Sequence, residues 1–267
     1  MVSRTRVSRP WFLVIPGVIA LAFLVVPLIV LLWQAPWGSF ASIVSSPTAL
    51  EALRLSLITS IIATAFACVV GIPLAWLLAR EVLPATNVLR AFVIVPLLLP
   101  PVVSGVALLA AFGRHGSIGG LLYSTFGIQL PFTTAGVVLA EAFVAMPFLV
   151  ITLEGGFRSL DRRYEDAATT LGASSWTVFR RITIPLVGPS LIAGAVLCWA
   201  RALGEFGATI TFAGNFPGVT QTMPLAVYTA LESDRSVAIA LSIILLAVSV
   251  GVLIALRGRY LRPAVSS

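Results

Sequence analysis

The sequence predicts an all-α, polytopic membrane protein with about six transmembrane helices, and three observations lead to that prediction. Of the 267 residues, 59% are hydrophobic and only 10% are charged, whereas soluble domains carry about 25% charged residues. The apolar residues are grouped in windows of about 20, the length that a helix needs to cross a hydrocarbon core of about 30 Å. The formal net charge of +7 comes from arginine alone, because the chain contains no lysine.

Six apolar segments are long enough to cross a membrane as helices. Lipid offers no hydrogen-bond partner to the backbone, so each segment is expected to pair its own N–H and C=O groups as an α-helix. The expected spans are approximately 11–33, 55–79, 91–112, 133–153, 187–212 and 237–256. Within them, kinks are expected at Pro73, Pro100, Pro101 and Pro147.

The distribution of arginine predicts the orientation of the chain in the membrane. Thirteen of the 17 arginines lie in four segments on one side of the expected bilayer, at residues 1–10, 80–90, 154–186 and 257–267. Arginine-rich loops are typically cytoplasmic, and an even number of spans puts both termini on the same side. We therefore expect a multi-pass protein of the plasma or inner membrane, with a cytoplasmic N-terminal tail (1–10), a transmembrane domain (11–256) and a cytoplasmic C-terminal tail (257–267).

The longest polar segment, at about 154–186, joins the fourth and fifth spans and predicts two short helices. The first helix is expected to begin at Asp161, a plausible N-cap, and to end at Gly172. Apolar residues at three- and four-residue spacing give this helix one apolar stripe. The stripe consists of Leu160, Tyr164, Ala167, Ala168 and Leu171.

The second helix of the segment is expected to start at Ser174 or Ser175, either of which can serve as its N-cap. Pro185 is expected to end this helix and to precede the fifth span. The apolar stripe of this second helix is formed by Trp176, Phe179 and Ile182.

Two interpretations of this polar segment are open. It forms either an interfacial helix, with Arg180 and Arg181 on lipid phosphates, or a docking surface for a protein partner. Glu165 and Asp166 are poorly suited to an anionic membrane surface, and the two small alanines that follow them permit close approach of a protein. These residues favour the docking interpretation.

A motif in the same segment supports that interpretation. The pattern Glu165-x-Ala167-Ala168-x3-Gly172-x9-Ile182-x-Ile184-Pro185 closely resembles the EAA loop of ABC-importer permease subunits, with Ile184 where leucine is more common. In that family the loop forms a coupling helix that docks in a groove of a separate ATPase subunit. The resemblance implies a type I ABC-importer permease-like fold. It also implies a coupling role for Tyr164, Glu165, Asp166, Ala167, Ala168, Gly172, Ile182 and Pro185.

Charged residues inside the apolar spans are candidates for a translocation path or gate. Arg201 and Glu205 stand one helical turn apart in the fifth span. An intramembrane charge costs about 2.5–3.5 kcal/mol on insertion scales, so such residues normally face a protein interior or an aqueous path. The two either neutralise each other as a structural i, i+4 pair or line the path. Glu141 in the fourth span is a candidate cross-helix partner for Arg201, and Thr209 completes the set of path candidates.

The same region resembles the oxyanion branch of the permeases. The core R-A-x-G-E-F-G at 201–207 is typical of the whole branch. The stretch F-A-G-N-x-P-G-x-T-Q-T-M-P-L-A-V-Y at 212–228 and LLLPPVVSGVALLAAFGRHGSIG at 97–119 resemble the molybdate and tungstate members more than the sulfate members. The resemblance implies transport of molybdate or tungstate. The alternatives are a sulfate or thiosulfate permease and, with less support, a secondary transporter.

Uncharged polar residues follow the fifth span on its expected outer side. Asn215 and Gln221, together with Thr220 and Thr222, offer hydrogen-bonding groups. These residues could meet an oxyanion or a binding protein, but a solvated loop explains them equally well.

The resemblance and the composition together define the expected partners. A P-loop needs the lysine of its G-x-x-x-x-G-K-[ST] motif, so ATP and Mg²⁺ are expected in a separate ATPase subunit, in two copies, and no cofactor in this chain. The remaining expected partners are a second permease subunit in a homodimer, an extracytoplasmic oxyanion-binding protein and membrane lipid. Nucleic acid is not expected, because an excess of arginine in a membrane protein usually marks cytoplasmic loops.

Three further residues of types that often bind metals or take part in catalysis are given no such role on this interpretation. His115, the one histidine, lies in a predicted outer loop and is interpreted as an exposed loop residue. Cys68 and Cys198 both lie in apolar runs, so they are interpreted as small buried hydrophobic residues. No catalytic or metal-binding residue is predicted.

Overall fold

The computed structural model describes residues 11–260, with the side chains of residues 253 and 255–260 left out. The described chain is helical and contains no strand. Its long helices are α1 (Trp11–Trp33), α3 (Pro47–Arg80), α7 (Thr134–Ser159), α11 (Gly188–Leu203) and α14 (Arg235–Tyr260). The shorter helices are α2 (Phe40–Val44), α4 (Thr86–Leu98), α5 (Pro101–Phe112), α6 (Ser117–Phe126), α8 (Arg163–Thr170), α9 (Ser175–Val178), α10 (Ile184–Leu186), α12 (Gly207–Phe212) and α13 (Met223–Ser233), with a π-helical turn at Phe179–Thr183 between α9 and α10.

Within residues 11–260, four helices are long and apolar enough to cross a membrane by themselves, namely α1, α3, α7 and α14. Two further spans are possible if each of two bent helix pairs counts as one, which gives up to six. The predicted number of about six corresponds to that upper count. The predicted N-terminal tail and residues 261–267 of the C-terminal tail lie outside the described residues.

The third predicted span, at 91–112, is not a continuous helix. Helix α4 ends at Leu98 and α5 starts at Pro101, and their axes are bent by 117°. Leu99 has an extended backbone, with φ −69° and ψ 136°, because a residue before proline is disfavoured in the helical region. Pro100 and Pro101 thus cause a full break where the sequence predicted a kink. Helices α3 and α7, in contrast, continue through Pro73 and Pro147.

The fifth predicted span, at 187–212, is also interrupted. A bend of 72° separates α10 from α11 at Val187, ahead of Gly188 and Pro189. Helix α11 then ends at Leu203, and α12 begins only at Gly207. The prediction of a single helix through this region is therefore wrong. Of the two predicted charges, Arg201 lies in the last turn of α11 and Glu205 lies in the break between α11 and α12.

Helices α3, α7 and α11 form the central bundle. The apolar window of α7 is 61% buried, whereas none of the residues of α1 is buried. Small side chains line the contact between α3 and α7, because close backbone approach replaces the hydrophobic effect as the source of packing energy in lipid. Buried examples are Ala63, Ala67 and Ala75 of α3 and Ala142 and Ala145 of α7.

Candidate coupling and translocation sites

Helix α8 and the turn after it form the first candidate site. The predicted N-cap at Asp161 is wrong by one residue, because Arg162 occupies the cap position of α8. The Asp161 carboxylate still accepts a hydrogen bond from the Arg163 N–H at 3.0 Å. Gly172 has a φ of +84° and ends the helix as predicted, since glycine adopts this left-handed conformation without strain. The hydroxyl of Ser174 accepts from the Thr177 N–H at 3.3 Å, so Ser174 is the N-cap of α9.

Most of the apolar stripe of α8 is uncovered in this subunit, whereas Leu160, which precedes the helix, packs against the central core. Leu171 is 88% exposed, and Tyr164 and Ala167 are also exposed, while Ala168 is half-buried. Asp166 is exposed on the same helix. An amphipathic helix that leaves its apolar residues uncovered is available to a partner.

Glu165 differs from its neighbours because its carboxylate is engaged within the chain. Oε2 lies 2.5 Å from Nη2 of Arg80, the last residue of α3. Oε1 accepts a hydrogen bond of 2.6 Å from the hydroxyl of Thr183, in the π-helical turn. The sequence predicted Glu165 as a coupling residue but not these partners, because Arg80 is 85 positions away and no local pattern connects them.

The π-helical turn has a local cause. Pro185 has no N–H and cannot donate to the carbonyl four residues earlier. The Ile184 N–H bonds instead to the Phe179 carbonyl, five residues earlier, as in a π-helix. This wider turn buries Thr183 beside Glu165, while Ile182 is half-buried and Pro185 is exposed.

The second candidate site surrounds the break between α11 and α12. Nη1 of Arg201 lies 2.6 Å from Oε2 of Glu205, which confirms the predicted pair. The Glu205 side chain is 1% exposed and that of Arg201 is 28% exposed. The other carboxylate oxygen of Glu205 accepts from the Ala208 N–H at 2.7 Å, so the same side chain also caps the first turn of α12.

Glu141 has a different partner from the one that the sequence suggested. Its Oε1 accepts a hydrogen bond of 2.9 Å from the hydroxyl of Thr59 on α3, and the residue is fully enclosed. Arg201 bonds to Glu205, so the predicted pairing of Arg201 with Glu141 is wrong. The i, i+4 geometry explains this outcome, because Glu205 reaches Arg201 along one chain segment without ordering a second helix.

Several buried oxygens near this region have no hydrogen-bond partner among the described residues. They are Oε2 of Glu141, Oγ1 of Thr209 on α12 and Oγ of Ser104 on α5. Buried polar atoms are normally paired with protein or ordered water. These three oxygens are therefore exceptions to that rule within the described part of the chain.

Helices α5 and α12, each of which begins directly after a helix break, approach each other closely. A Cβ atom added to Gly105 would lie 2.5 Å from Cβ of Thr211, and one added to Gly207 would lie 2.4 Å from Cβ of Pro101. Both distances are shorter than any real Cβ contact. The two glycines therefore permit a contact that no other residue allows.

The polar residues after α12 are not a solvated loop. Gln221 is 6% exposed, and Thr220 and Thr222 are fully buried. Gln221 lines a cavity of about 270 Å³ between α3 and α13. Asn215 donates from its side-chain amide to the hydroxyl of Thr229 at 3.0 Å. A solvated loop therefore does not explain the buried Thr220, Gln221 and Thr222. Asn215 links this segment to α13 through Thr229.

Comparison with known proteins defines the class of the chain. Residues 71–267 match the family described as binding-protein-dependent transport system inner membrane component. The chain belongs to this family. Within it, the chain is 42% identical over 250 residues to the molybdenum transport system permease protein ModB of Mycobacterium tuberculosis, which covers 94% of both chains.

Two other relatives allow the similarity to molybdenum permeases to be compared with the similarity to a sulfate permease. The ModB protein of Escherichia coli K12 is 46% identical over 183 residues, covering 68% of this chain and 80% of that protein. The sulfate transport system permease protein CysT of the same organism is 34% identical over 223 residues, covering 83% and 80%. The sulfate relative is thus less similar than the two molybdenum relatives.

Solved structures share the fold. A bacterial ABC transporter for the acidic polysaccharide alginate matches with a TM-score of 0.76 at 18% identity, over 96% of both chains. The MetNI methionine ABC transporter matches with a TM-score of 0.61 at 15% identity, over 77% of this chain and 91% of that chain. The chain therefore has the type I ABC-importer permease fold.

Proposed function

We propose that this chain is the membrane-spanning permease subunit of an ATP-driven importer of molybdate, with tungstate as a second substrate of the same shape and charge. The observation that carries the proposal is the 42% identity to a molybdenum transport permease over 94% of both chains. The exposed residues of α8 and the helix breaks that precede α5 and α12 are consistent with the coupling and pore elements that such a subunit needs.

Helix α8 is proposed to dock on a separate ATPase subunit. Its uncovered residues Tyr164, Ala167 and Leu171 fit a groove of a protein partner better than they fit water. ATP and Mg²⁺ bind to this separate subunit, because the present chain lacks the lysine of a P-loop. The importer contains two copies of the ATPase subunit. Two copies of this chain form the pore as a homodimer.

An extracytoplasmic binding protein is proposed to deliver the anion to the outer side. Arg201 is balanced by Glu205 at 2.6 Å, so its charge is not free to hold a dianion tightly. Specificity therefore lies mainly in the binding protein, and the pore passes the anion by alternating access. The breaks beside α5 and α12 let short segments move while α3 and α7 stay continuous.

A sulfate or thiosulfate permease is the second candidate, favoured by the 34% identity to CysT. The test is uptake of radiolabelled molybdate by proteoliposomes that contain this chain, its ATPase and its binding protein. Uptake should require ATP, compete strongly with excess tungstate and compete weakly with excess sulfate. Strong competition by sulfate would favour the second candidate, and uptake without ATP would favour a secondary transporter.

A further inference from the structure

We propose that an aromatic groove between α9 and the last turns of α3 binds an anionic phospholipid, with one acyl chain in the groove and the phosphate at Arg180 and Arg181. The groove is a cavity of about 430 Å³ lined by Pro73, Trp76, Leu77, Ser175, Trp176 and Phe179. Binding at this groove requires that the chain lies in a membrane, but it does not depend on which anion the importer transports.

Three aromatic side chains form the wall of the aromatic groove. The ring centroid of Phe179 lies 6.0 Å from that of Trp176, in a stacked arrangement, and 6.3 Å from that of Trp76, edge to face. Phe179 also packs against the central core, which fixes its position. Trp176 nevertheless remains 67% exposed. The wall is therefore an apolar surface that the described residues leave partly uncovered.

The position of the aromatic groove along α3 corresponds to the boundary between hydrocarbon and headgroups. Helix α3 has 34 residues, about 50 Å at 1.5 Å per residue. When centred on a hydrocarbon core of about 30 Å, it extends about 10 Å beyond each face of the core. Trp76 and Pro73 lie about 6 Å and about 10 Å from Arg80, the last residue of α3, by the same rise. The groove therefore opens at the depth where tryptophan is enriched in membrane proteins.

Two arginines supply positive charge beside the aromatic groove. Arg180 and Arg181 directly follow Phe179, are exposed, and form no ion pair within the described part of the chain. Arg80 at the end of α3, in contrast, is paired with Glu165. A guanidinium group binds phosphate well, and basic residues at a membrane surface attract anionic lipids. Arg180 and Arg181 are thus available to a lipid phosphate.

The apolar groove and its basic rim together favour a lipid over a second copy of this chain. One phospholipid molecule supplies both an acyl chain for the aromatic wall and a phosphate for the arginines. A second copy offers few free carboxylates here, because Glu81, Glu154 and Glu165 are already paired with its own arginines. The docking and the lipid interpretations of the polar segment therefore apply to different parts of it, to α8 and to α9.

The test measures contact between lipid and the aromatic groove through tryptophan fluorescence. The chain has six tryptophans, of which Trp76 and Trp176 line the groove and serve as reporters. The other four are replaced by phenylalanine, namely Trp11, Trp33, Trp37 and Trp199. This variant is reconstituted in phosphatidylcholine vesicles with increasing fractions of phosphatidylglycerol that carries brominated acyl chains, because bromine quenches tryptophan on contact. Brominated phosphatidylcholine in the same proportions is the control for contact with bulk lipid.

We expect phosphatidylglycerol to quench the reporters at a lower mole fraction than phosphatidylcholine, and added salt to reduce this preference by screening the arginines. Arg180→Gln and Arg181→Gln should each reduce the preference about fivefold, the effect of one basic residue near an anionic surface. The matched control is Arg162→Gln with Arg163→Gln, which removes two exposed charges from the same segment and should leave the preference unchanged. Ser175→Phe, which fills the groove, should lower quenching by either lipid.

Thermal unfolding of the unmodified chain in detergent gives an independent readout. A ligand that binds only the folded state stabilises it, so added phosphatidylglycerol should raise the midpoint temperature of unfolding more than added phosphatidylcholine does. The difference between the two lipids should disappear in the variant Arg180→Gln with Arg181→Gln.

Four results would overturn the inference. Equal quenching by the two lipids would show that the groove has no anionic preference, and an equal loss in the control variant would show only general attraction to a charged surface. Loss of quenching after addition of the ATPase subunit would make the groove a protein contact. Absence of quenching by either lipid would show that a second copy of the chain covers it. The comparison of the two lipids needs neither ATP nor a transported anion, so its outcome is separate from that of the proposed function.

Discussion

Buried charge is the dominant feature at the scale of single residues, and the pair of Arg201 and Glu205 shows its consequences. Glu205 has two tasks, since one oxygen neutralises Arg201 and the other holds the Ala208 N–H. A residue that only neutralised its neighbour would not need to lie at a helix break. The location at the start of α12 thus favours a role in the movement of that segment.

This location leads to a prediction for the pair. Glu205→Gln should destabilise the subunit by about 3–5 kcal/mol, since it leaves Arg201 unpaired. The double variant Arg201→Met with Glu205→Gln should insert at near-normal levels, because neither charge remains and the glutamine still accepts from Ala208. Uptake of radiolabelled molybdate should nevertheless fall in the double variant. Near-normal uptake would show that the pair is only structural.

The sequence predicted this pair but not the other buried contacts. Residues four apart meet on one face of a helix, so Arg201 and Glu205 could be paired from spacing alone. Glu141 and Thr59 are 82 positions apart, and their contact depends on how α3 packs on α7. That packing is set by small side chains along two helices, which leave no periodic signal that identifies a particular polar pair.

At the scale of helices and turns, the conformation of Gly172 controls how α8 is presented. Gly172→Val should be strained, because a β-branched side chain resists a φ of +84°. We expect normal membrane insertion but loss of ATP hydrolysis stimulated by substrate. The matched control is Gly155→Val, because Gly155 also has open space around it but lies within α7. Full stimulation in Gly172→Val would argue that the segment is only an interfacial helix.

The contact between α5 and α12 gives a second prediction at this scale. Gly207→Ala should force the two helices apart, since the new Cβ would lie 2.4 Å from Pro101, and overpacking costs about 1–3 kcal/mol. Gly204→Ala is the control, with its Cβ 3.6 Å from the nearest carbonyl oxygen. The midpoint temperature of unfolding in detergent and the rate of uptake should both fall in Gly207→Ala and remain unchanged in Gly204→Ala. Equal behaviour of the two variants would refute a tight contact at this crossing.

One of the helix breaks, at Pro100 and Pro101, could be located from the sequence, but its angle could not be predicted. Leu99, Pro100 and Pro101 cannot continue a helix, so a disturbance there follows from backbone sterics. The bend of 117° depends on what α5 packs against, which is the backbone of α12 through Gly105 and Gly207. The break after Leu203 was missed, because the apolar run continues across it and hides the capping role of Glu205.

At the scale of the whole molecule, apolar length and arginine placement predicted the number of spans and their orientation. These two signals come from the membrane itself, which requires about 20 apolar residues per helix and a positive cytoplasmic side. The packing among spans has no such external reference. It was therefore predictable only through the resemblance to ABC-importer permeases, and it is now supported by the shared fold of the alginate transporter.

Orientation can be tested with two cysteine positions on either side of one helix. Ser117 starts α6 and Thr170 ends α8, both are exposed, and of the four unbroken spanning helices only α7 lies between them. After replacement of Cys68 and Cys198, an impermeant thiol reagent added to intact cells should label Ser117→Cys but not Thr170→Cys. Labelling of both should follow once the membrane is opened, which controls for the reactivity of the second site.

The expected direction rests on the arginines. Arg158, Arg162, Arg163, Arg180 and Arg181 surround Thr170, whereas Arg114 is the one arginine near Ser117. An outer location for this arginine-rich segment would oppose the positive-inside rule and would separate α8 from any cytoplasmic ATPase. Labelling of Thr170→Cys in intact cells, with Ser117→Cys protected, would therefore reverse the orientation and remove the coupling role of α8 together with it.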